Sequence, residues 1–214
     1  MLNRRSVLST AAGVLAAGAA AAAPVALPGD MSLGNSNAKI EVLEYASLSC
    51  PHCAHFNETI FPTLKSKYID TGKVHYTLKE MLTEPMQVAA AGFMMARCAG
   101  PQKYFTVVDQ VFRSQPRWTQ GNIKPILLEI GIANGLDEAK FTACITDQAA
   151  FDAINERAQR AAELDGVTGT PTLFINGKRI ETPSSPAELD AAIAAAGKSP
   201  AKPKKTPAAK KKGH

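Results

Sequence analysis

Residues 40–53 read Ile-Glu-Val-Leu-Glu-Tyr-Ala-Ser-Leu-Ser-Cys-Pro-His-Cys, and this stretch decides the fold. An alternating run with β-branched residues indicates a strand, and the Cys-x-x-Cys that follows opens a long amphipathic segment. Pro51 suits the first helical position, where its missing N–H costs nothing, and Ser49 is a candidate N-cap. The stretch therefore predicts a strand, a tight turn and a helix N-terminus that carries two sulfurs on one face.

Cys50 and Cys53 carry the candidate chemistry. Cys50 should lie at the helix start, where backbone N–H groups and the helix dipole stabilise a thiolate. Cys53 lies on the same face, close enough to form a disulfide. Thiol exchange requires an exposed sulfur of low pKa and a shielded sulfur that resolves the mixed disulfide. We expect Cys50 to be the exposed sulfur and Cys53 the resolving one.

A Cys-x-x-Cys can instead be half of a zinc site or a pair of structural thiols. A structural zinc site needs about four ligands, usually with a second Cys or His pair at similar spacing. Cys98 and Cys144 are isolated in the sequence, and His55 is the near neighbour of the motif. A Cys/Cys/His cluster with a distant fourth ligand stays open, although we expect neither a metal nor another cofactor.

Three segments together resemble one known family. They are Val-Leu-Glu-Tyr at 42–45, Cys-Pro-His-Cys at 50–53 and Gly-Thr-Pro-Thr-Leu-Phe-Ile-Asn-Gly at 169–177. In this order, within residues 32–196, they are similar to the DsbA family of periplasmic thiol:disulfide oxidoreductases. The resemblance implies an α/β, thioredoxin-like fold with an all-helical insertion between a strand-helix-strand unit and a cis-proline hairpin. It also implies a centre that oxidises exported proteins.

The rest of the chain has a pattern that agrees with this fold. Residues 73–81 alternate as a second strand after the first helix, and a strand-helix-strand unit favours a parallel pair with a right-handed crossover. Residues 172–176 and 178–181 flank Asn176-Gly177, a hairpin signal, and a closing helix is predicted at 186–196. Between these parts, punctuated by Gly100-Pro101, Gly121-Asn122 and Gly135, the sequence predicts helical runs without a comparable strand at 86–98, 104–114, 124–130 and 151–164.

We predict five segments along the chain. They are a signal peptide at 1–23, an N-terminal lead-in at 24–38, a thioredoxin-like domain at 39–84 and 166–196, a helical insertion at 85–165 and a disordered Lys/Ala/Pro-rich tail at 197–214. Arg4 and Arg5 precede a small-residue apolar run, which is typical of an export signal. The paired arginines resemble a twin-arginine signal, although any basic start would serve the general route. An uncleaved anchor is the alternative, because Pro24 would sit badly just after a cut at Ala23.

The net charge of +5 is unevenly distributed. Residues 24–197 hold 15 basic and 19 acidic residues, a net charge of −4, because the signal and the tail carry the other nine basic residues. The composition, 45% apolar, fits one exported and mildly acidic globular domain. The tail is either a solvated extension or an electrostatic contact with anionic lipid head groups or cell-wall polymers, and we expect no nucleic-acid partner.

Two further side chains could tune the sulfurs. Burial of Glu44 beneath the site would raise its pKa, so that it could exchange a proton with Cys53, the role that the resemblance assigns to this position. Otherwise Glu44 is an edge glutamate that reaches water. The imidazole of His52 could stabilise the Cys50 thiolate and make the disulfide more oxidising, unless His52 is only a surface residue.

Thr170 and Pro171 form the second half of the predicted site. The resemblance implies a cis peptide bond between them, beside the two cysteines. That bond would turn the Thr170 backbone outward, where it can pair with an extended substrate peptide. DsbA oxidases of the enterobacterial type carry valine before this proline, whereas isomerases and several other branches carry threonine. Thr170 therefore weakens an assignment of pure oxidase activity.

Cys98 and Cys144 are the remaining cysteines. In an oxidising compartment, an even count with one catalytic pair favours a second, structural disulfide. Closing a loop of roughly 47 residues would stabilise the fold by about 4 kcal/mol, less any strain. Two buried free thiols are the alternative.

Three functions remain at this stage. The first is a monomeric periplasmic oxidase that takes reduced exported proteins as substrates and is reoxidised by a membrane redox partner of the DsbB type. The second is a disulfide isomerase or reductase of the same compartment, which Thr170 favours. The third is a non-catalytic peptide-binding or metal-binding protein, against which the intact Cys50, Cys53 and Pro171 argue.

Overall fold

The predicted strand before the cysteines is the middle strand of a five-stranded sheet. A computed structural model describes residues 23–118 and 122–198, and its strands are β1 (Met31–Gly34), β2 (Ile40–Ala46), β3 (Val74–Glu80), β4 (Thr172–Ile175) and β5 (Lys178–Ile180). They lie in the order β1-β3-β2-β4-β5. The β2–β3 pair is parallel, as the strand-helix-strand pattern predicted, and the other neighbouring pairs are antiparallel.

Eight α-helices accompany the sheet within the described ranges. They are α1 (Pro51–Thr59), α2 (Phe61–Leu64), α3 (Met86–Cys98), α4 (Tyr104–Ser114), α5 (Ile123–Ala133), α6 (Glu138–Ile145), α7 (Gln148–Leu164) and α8 (Pro186–Lys198). Helices α3 to α7 form a block that lies in the chain between β3 and β4. The predicted fold class, a thioredoxin-like sheet with an all-helical insertion before the hairpin, is confirmed.

The crossover from β2 to β3 is not the single helix that the apolar spacing predicted. Helix α1 ends at Thr59, α2 follows, and Lys65–Ile69 form a π-helical turn. Pro62 lies in the first turn of α2 and has no N–H to bond the carbonyl of the residue four positions earlier. The helix is therefore interrupted where that bond would be needed.

The sheet also includes a strand that the sequence left inside the lead-in. Strand β1 pairs with the outer edge of β3, and the Ser32 and Thr77 hydroxyls lie 2.8 Å apart across the pair. Asp30, just before β1, forms a 2.6 Å ion pair with Lys79, and both side chains are buried. This strand alternates between half-buried and exposed residues, but four residues are too few for the alternation to be recognised from the sequence.

The two faces of the sheet pack against different partners. Val42, Ala46 and Tyr76 belong to the main core, which includes residues of α1 and of the helical block. On the opposite face, Leu43, Tyr45 and Phe174 pack with Ala161 and Val167. Successive residues of β2 alternate between these faces, so Glu44 lies on the same face as Val42, which is the face of the main core.

A buried carboxylate connects the helical block to the sheet. Glu80, at the end of β3, accepts hydrogen bonds from Arg97 of α3 at 2.7 Å and from Arg157 of α7 at 2.7 Å. The Tyr104 hydroxyl donates a further hydrogen bond of 2.9 Å to Oε1 of Glu80. Three helices of the block are thus hydrogen-bonded to one side chain of the sheet.

The predicted terminal segments fall mostly outside the described residues. This holds for the signal at 1–23, except Ala23, and for the tail at 197–214, except that α8 continues through Gly197 and Lys198. Across 23–118 and 122–198, none of the helices combines the length and the apolar character needed to cross a bilayer.

Candidate active site

Cys50 itself is the N-cap of helix α1, so the prediction that Ser49 caps this helix is wrong. Cys50 has an extended backbone, with φ −85° and ψ 119°, and Pro51 is the first helical residue. The Ser49 hydroxyl instead donates a 2.8 Å hydrogen bond to the Thr83 carbonyl. With Ser49 engaged by the segment before α3, the first N–H groups of α1 are directed at the Cys50 sulfur.

The two cysteines differ less in exposure than the sequence suggested. Cys50 is 8% exposed and Cys53 is fully buried, and both are free thiols. The Cys50 thiol donates a 3.4 Å hydrogen bond to the Thr170 carbonyl, which comes from the segment before β4. Cys50 therefore lies at the rim of the site, partly covered, and Cys53 lies beneath it.

The environment lowers the pKa of Cys50 from its ordinary value of 9.0 to about 5. The Cys53 thiol, by donating a hydrogen bond to the Cys50 sulfur, contributes most, and burial opposes the change. The Thr170 side chain and the backbone N–H groups of Cys53 and His52 lower the pKa further. The Thr170 carbonyl favours the thiol, but these donors together favour the thiolate.

The pKa of Cys53 moves in the opposite direction. Burial raises it far above the usual value, and the hydrogen bond and negative charge of Cys50 act in the same sense. A sulfur that resists ionisation beside one that ionises easily is the asymmetry that thiol exchange requires.

His52 lies on the exposed side of the helix start. Its backbone N–H is among the groups that lower the pKa of Cys50. The role proposed for its imidazole thus has a competitor in the same residue, and a substitution that keeps the backbone can separate the two.

Glu44 is a buried acid with one strong partner. It is 2% exposed, and its Oε2 accepts a 2.7 Å hydrogen bond from the Tyr76 hydroxyl. Burial raises its pKa from 4.5 to about 7, the Tyr76 bond opposes that change, and the Cys50 charge adds to it. Tyr76 is a site residue that sequence reasoning missed; the signal is its place opposite Val42, on the face of Glu44.

Thr170 and Pro171 are joined by a cis peptide bond at the start of β4. The Thr182 hydroxyl donates a 3.2 Å hydrogen bond to the Pro171 carbonyl, and the Thr172 hydroxyl donates one of 2.7 Å to Gly169. An open cleft of about 500 Å³ adjoins this segment and is lined by Pro171, Thr172, Arg179, Ile180, Glu181 and Thr182. The cleft therefore borders the cis-proline segment on its Pro171 side and extends along β5.

Cys98 and Cys144 form a disulfide between the end of α3 and α6, with Cα atoms 6.2 Å apart. They therefore play no part at the Cys50 site. Among the residues that the structure describes, no three His, Cys, Asp or Glu side chains are grouped so that they could hold a metal ion.

The arrangement of a reactive Cys-x-x-Cys at a helix N-terminus beside a cis proline defines a thioredoxin-like redox protein. A family model described as thioredoxin matches residues 26–195, so the chain belongs to the thioredoxin family. Within that family it belongs with the DsbA proteins. It matches the crystal structure of Wolbachia pipientis alpha-DsbA1 with a TM-score of 0.75 and 30% identity, over 81% of this chain and 94% of that one.

Other relatives match the chain with different identities and over different shares of their length. BdbD from Bacillus subtilis, in its oxidised form, shares the fold with a TM-score of 0.71 and 22% identity, over 84% of this chain and 98% of that one. A Rickettsia bellii protein, provisionally named a protein-disulfide oxidoreductase, is 34% identical over 71% of this chain and 59% of its own length. The chain spans only 53% to 59% of the Rickettsia relatives that it matches.

Proposed function

We propose that this protein is a thiol:disulfide oxidoreductase that introduces disulfides into exported proteins through Cys50 and Cys53. The observation that carries the proposal is the pair of opposite pKa changes, downward to about 5 at Cys50 and upward at Cys53. A stable Cys50 thiolate favours the reduced form of the protein, and a favoured reduced form makes the disulfide a strong oxidant.

The reaction starts from the Cys50–Cys53 disulfide. A substrate thiolate attacks Sγ of Cys50, the bond between the cysteines breaks, and Cys53 leaves as a thiolate that takes up a proton. A second substrate thiolate then attacks the substrate sulfur of the mixed disulfide, and Cys50 leaves as a thiolate. The substrate loses two electrons and gains a disulfide, and the enzyme gains both electrons as one thiol and one thiolate.

Glu44 supplies the proton that Cys53 needs. With a pKa of about 7, the acid is partly protonated at neutral pH and can give up its proton without a large penalty. The raised pKa of Cys53 means that this sulfur accepts a proton as soon as it is released. Glu44 is afterwards reprotonated from solvent.

Thr170 and Pro171 hold the substrate. An extended peptide in the adjoining cleft can pair with the backbone of the cis-proline segment, which would bring its cysteine to the rim where Cys50 lies. Recognition through the backbone suits an enzyme whose substrates share a thiol and little else.

We further propose the periplasm as the place of action. The basic start and the apolar run at 1–23 support export, and the Cys98–Cys144 disulfide fits an oxidising compartment. In that compartment a membrane redox partner of the DsbB type would reoxidise the dithiol, and the protein would act as a monomer.

Thr170 keeps one alternative in view, a disulfide isomerase or reductase of the same compartment. The state of the active-site cysteines in living cells distinguishes the two, because an oxidase is kept oxidised and an isomerase or reductase is kept reduced. Acid quenching followed by thiol alkylation reports that state.

Oxidation of a reduced, unfolded test protein by the purified full chain tests the proposed activity. Cys50→Ser should abolish it, and Cys53→Ala should accumulate mixed disulfides on Cys50. The matched control is Cys98→Ala with Cys144→Ala, which removes the other pair and should leave oxidation in place. Equal trapping by the Cys50 and Cys53 variants would contradict the assigned roles.

A further inference from the structure

Tyr76 and Glu44 form a buried pair on adjacent strands. Tyr76 of β3 is 3% exposed, and its hydroxyl lies 2.7 Å from Oε2 of Glu44 in β2. The tyrosine ring packs against Phe61 of α2 and Phe105 of α4, with ring centroids 5.1 Å and 6.0 Å away. The ring is therefore fixed by its neighbours, and the hydroxyl is the part that acts on Glu44.

This hydrogen bond can persist in both protonation states of Glu44. The hydroxyl donates to Oε2 of the carboxylate, and it can still do so when Oε1 carries a proton. The bond is stronger with the charged form, so it favours ionisation and opposes the effect of burial on Glu44. The acid is thus held near the working pH by two opposing contributions.

The other titratable groups that act on the pair do not replace the hydrogen bond from Tyr76 to Glu44. The charge of Cys50 acts on Glu44, and Cys53 of α1 and Tyr104 of α4 have electrostatic effects on Tyr76. The Tyr104 hydroxyl is already engaged with Glu80. Burial raises the pKa of Tyr76 itself well above its usual value, so Tyr76 stays protonated and Glu44 is the member of the pair that titrates.

We propose that Tyr76 is a positioning residue for thiol exchange, which holds the Glu44 carboxyl group and sets the pH range over which it passes a proton to Cys53. The inference rests on the proposed function. It assigns to Tyr76 no contact with substrate or with the reacting sulfurs.

The test is Tyr76→Phe in the full chain, which removes the hydroxyl and keeps the ring. Tyr104→Phe is the matched control, because it removes a hydroxyl that donates to a different buried carboxylate, that of Glu80. Carbon-13 NMR follows the titration of the Glu44 carboxyl in the reduced protein. Stopped-flow mixing of the oxidised protein with a reduced cysteine peptide gives the exchange rate at each pH.

Loss of the bond should raise the pKa of Glu44 by about 1. A hydrogen bond to a charged group contributes at least the free energy that corresponds to one pKa unit. The ratio of the Tyr76→Phe rate to the wild-type rate should then rise with pH above neutrality, since Glu44 keeps its proton longer. Taking the ratio of the two rates removes the pH dependence that comes from ionisation of the peptide thiol. Tyr104→Phe should give a flat ratio, and Tyr76→Phe should change nothing further in a Glu44→Gln background.

Different results would contradict the role of Tyr76 and the proposed function. A flat ratio and an unchanged Glu44 titration in Tyr76→Phe would overturn the role of Tyr76 while exchange by the wild type stands. Absence of exchange with the wild-type protein would instead overturn the proposed function.

Discussion

The Tyr45 hydroxyl donates a 2.7 Å hydrogen bond to Oδ2 of Asp165, and this bond joins the two halves of the site. Tyr45 lies in the strand that leads to Cys50, and Asp165 caps the C-terminal end of α7, from which the chain runs to Pro171. The tyrosine is fully buried, with its ring edge-on to Phe174. The contact therefore adds a side-chain link to the β2–β4 ladder, in which Tyr45 is aligned with Thr172 next to the cis proline.

Tyr45→Phe should lower the free energy of unfolding by about 1–3 kcal/mol, because a hydrogen bond to a carboxylate is lost and the ring is kept. We expect KM for a cysteine peptide to rise more than kcat falls, since the cis-proline segment is less well fixed. Urea unfolding and exchange kinetics measure the two effects. Tyr68→Phe is the control, because the Tyr68 hydroxyl, in the π-helical turn before β3, donates to Asp190 of α8. A similar rise in KM in that variant would contradict the role of Tyr45.

The relative stability of the reduced and oxidised proteins should depend on pH. The pKa of Cys50 is lowered from 9.0 to about 5 in the folded reduced protein, so its thiolate stabilises the fold as pH rises from 5 towards 9, and this stabilisation is lost as pH falls through 5. The oxidised protein has no thiolate. Unfolding of both forms at pH 4 and at pH 8 should show the reduced form gaining on the oxidised form at the higher pH. Parallel changes in the two forms would exclude a low thiolate pKa.

His52→Ala distinguishes the imidazole from the backbone N–H of the same residue. If the ring stabilises the thiolate, its loss raises the pKa of Cys50 and makes the disulfide less oxidising. The reduction potential then falls by about 30 mV for each 1.4 kcal/mol of thiolate stabilisation that is lost. Equilibration with a glutathione buffer gives the potential, and thiolate absorbance gives the pKa. His55→Ala, an exposed histidine one turn later, is the control. Unchanged values in His52→Ala would leave the activation of Cys50 to the Cys53 thiol, the Thr170 side chain and the backbone N–H groups of the helix start.

Replacing both Cys98 and Cys144 by alanine should lower stability by about 4 kcal/mol, less any strain in the native bond. The bond joins residues 46 apart in the sequence, so its loss frees a long loop in the unfolded chain. Thermal unfolding of wild type and variant measures the difference. In denatured wild-type protein, a thiol reagent should label these two cysteines only after reduction. Labelling without reductant would contradict the disulfide.

Much of the fold could be predicted because local patterns determine it. Helices α3 and α4 begin and end where their apolar periodicity and the flanking glycine and proline residues indicated. Helix α6 was missed because its eight residues bury only Phe141 completely, which leaves no apolar stripe to recognise. Short elements that depend on tertiary contacts carry little local signal.

Site residues could be predicted where residue type and position indicate the role, but not where the role depends on a contact between two distant residues. Cys50, Cys53 and Glu44 stand out through residue type and through their place at the end of a buried strand. The bond of Tyr76 to Glu44 joins residues 32 apart in the sequence and depends on how β2 and β3 align, and no local pattern encodes that register. The same holds for Ser49, whose partner, Thr83, comes from a distant segment.

The carboxylate of Glu80 has a mechanical consequence. It pairs with Arg97 and Arg157 from two different helices, and its side chain is 1% exposed. A rotation of the helical block away from the sheet would leave this charge buried without its partners, at a penalty of several kcal/mol. These ion pairs hold α3 and α7 to the end of β3, so a substrate that reached Cys50 in the proposed reaction would meet a helical block tied to the sheet at this point.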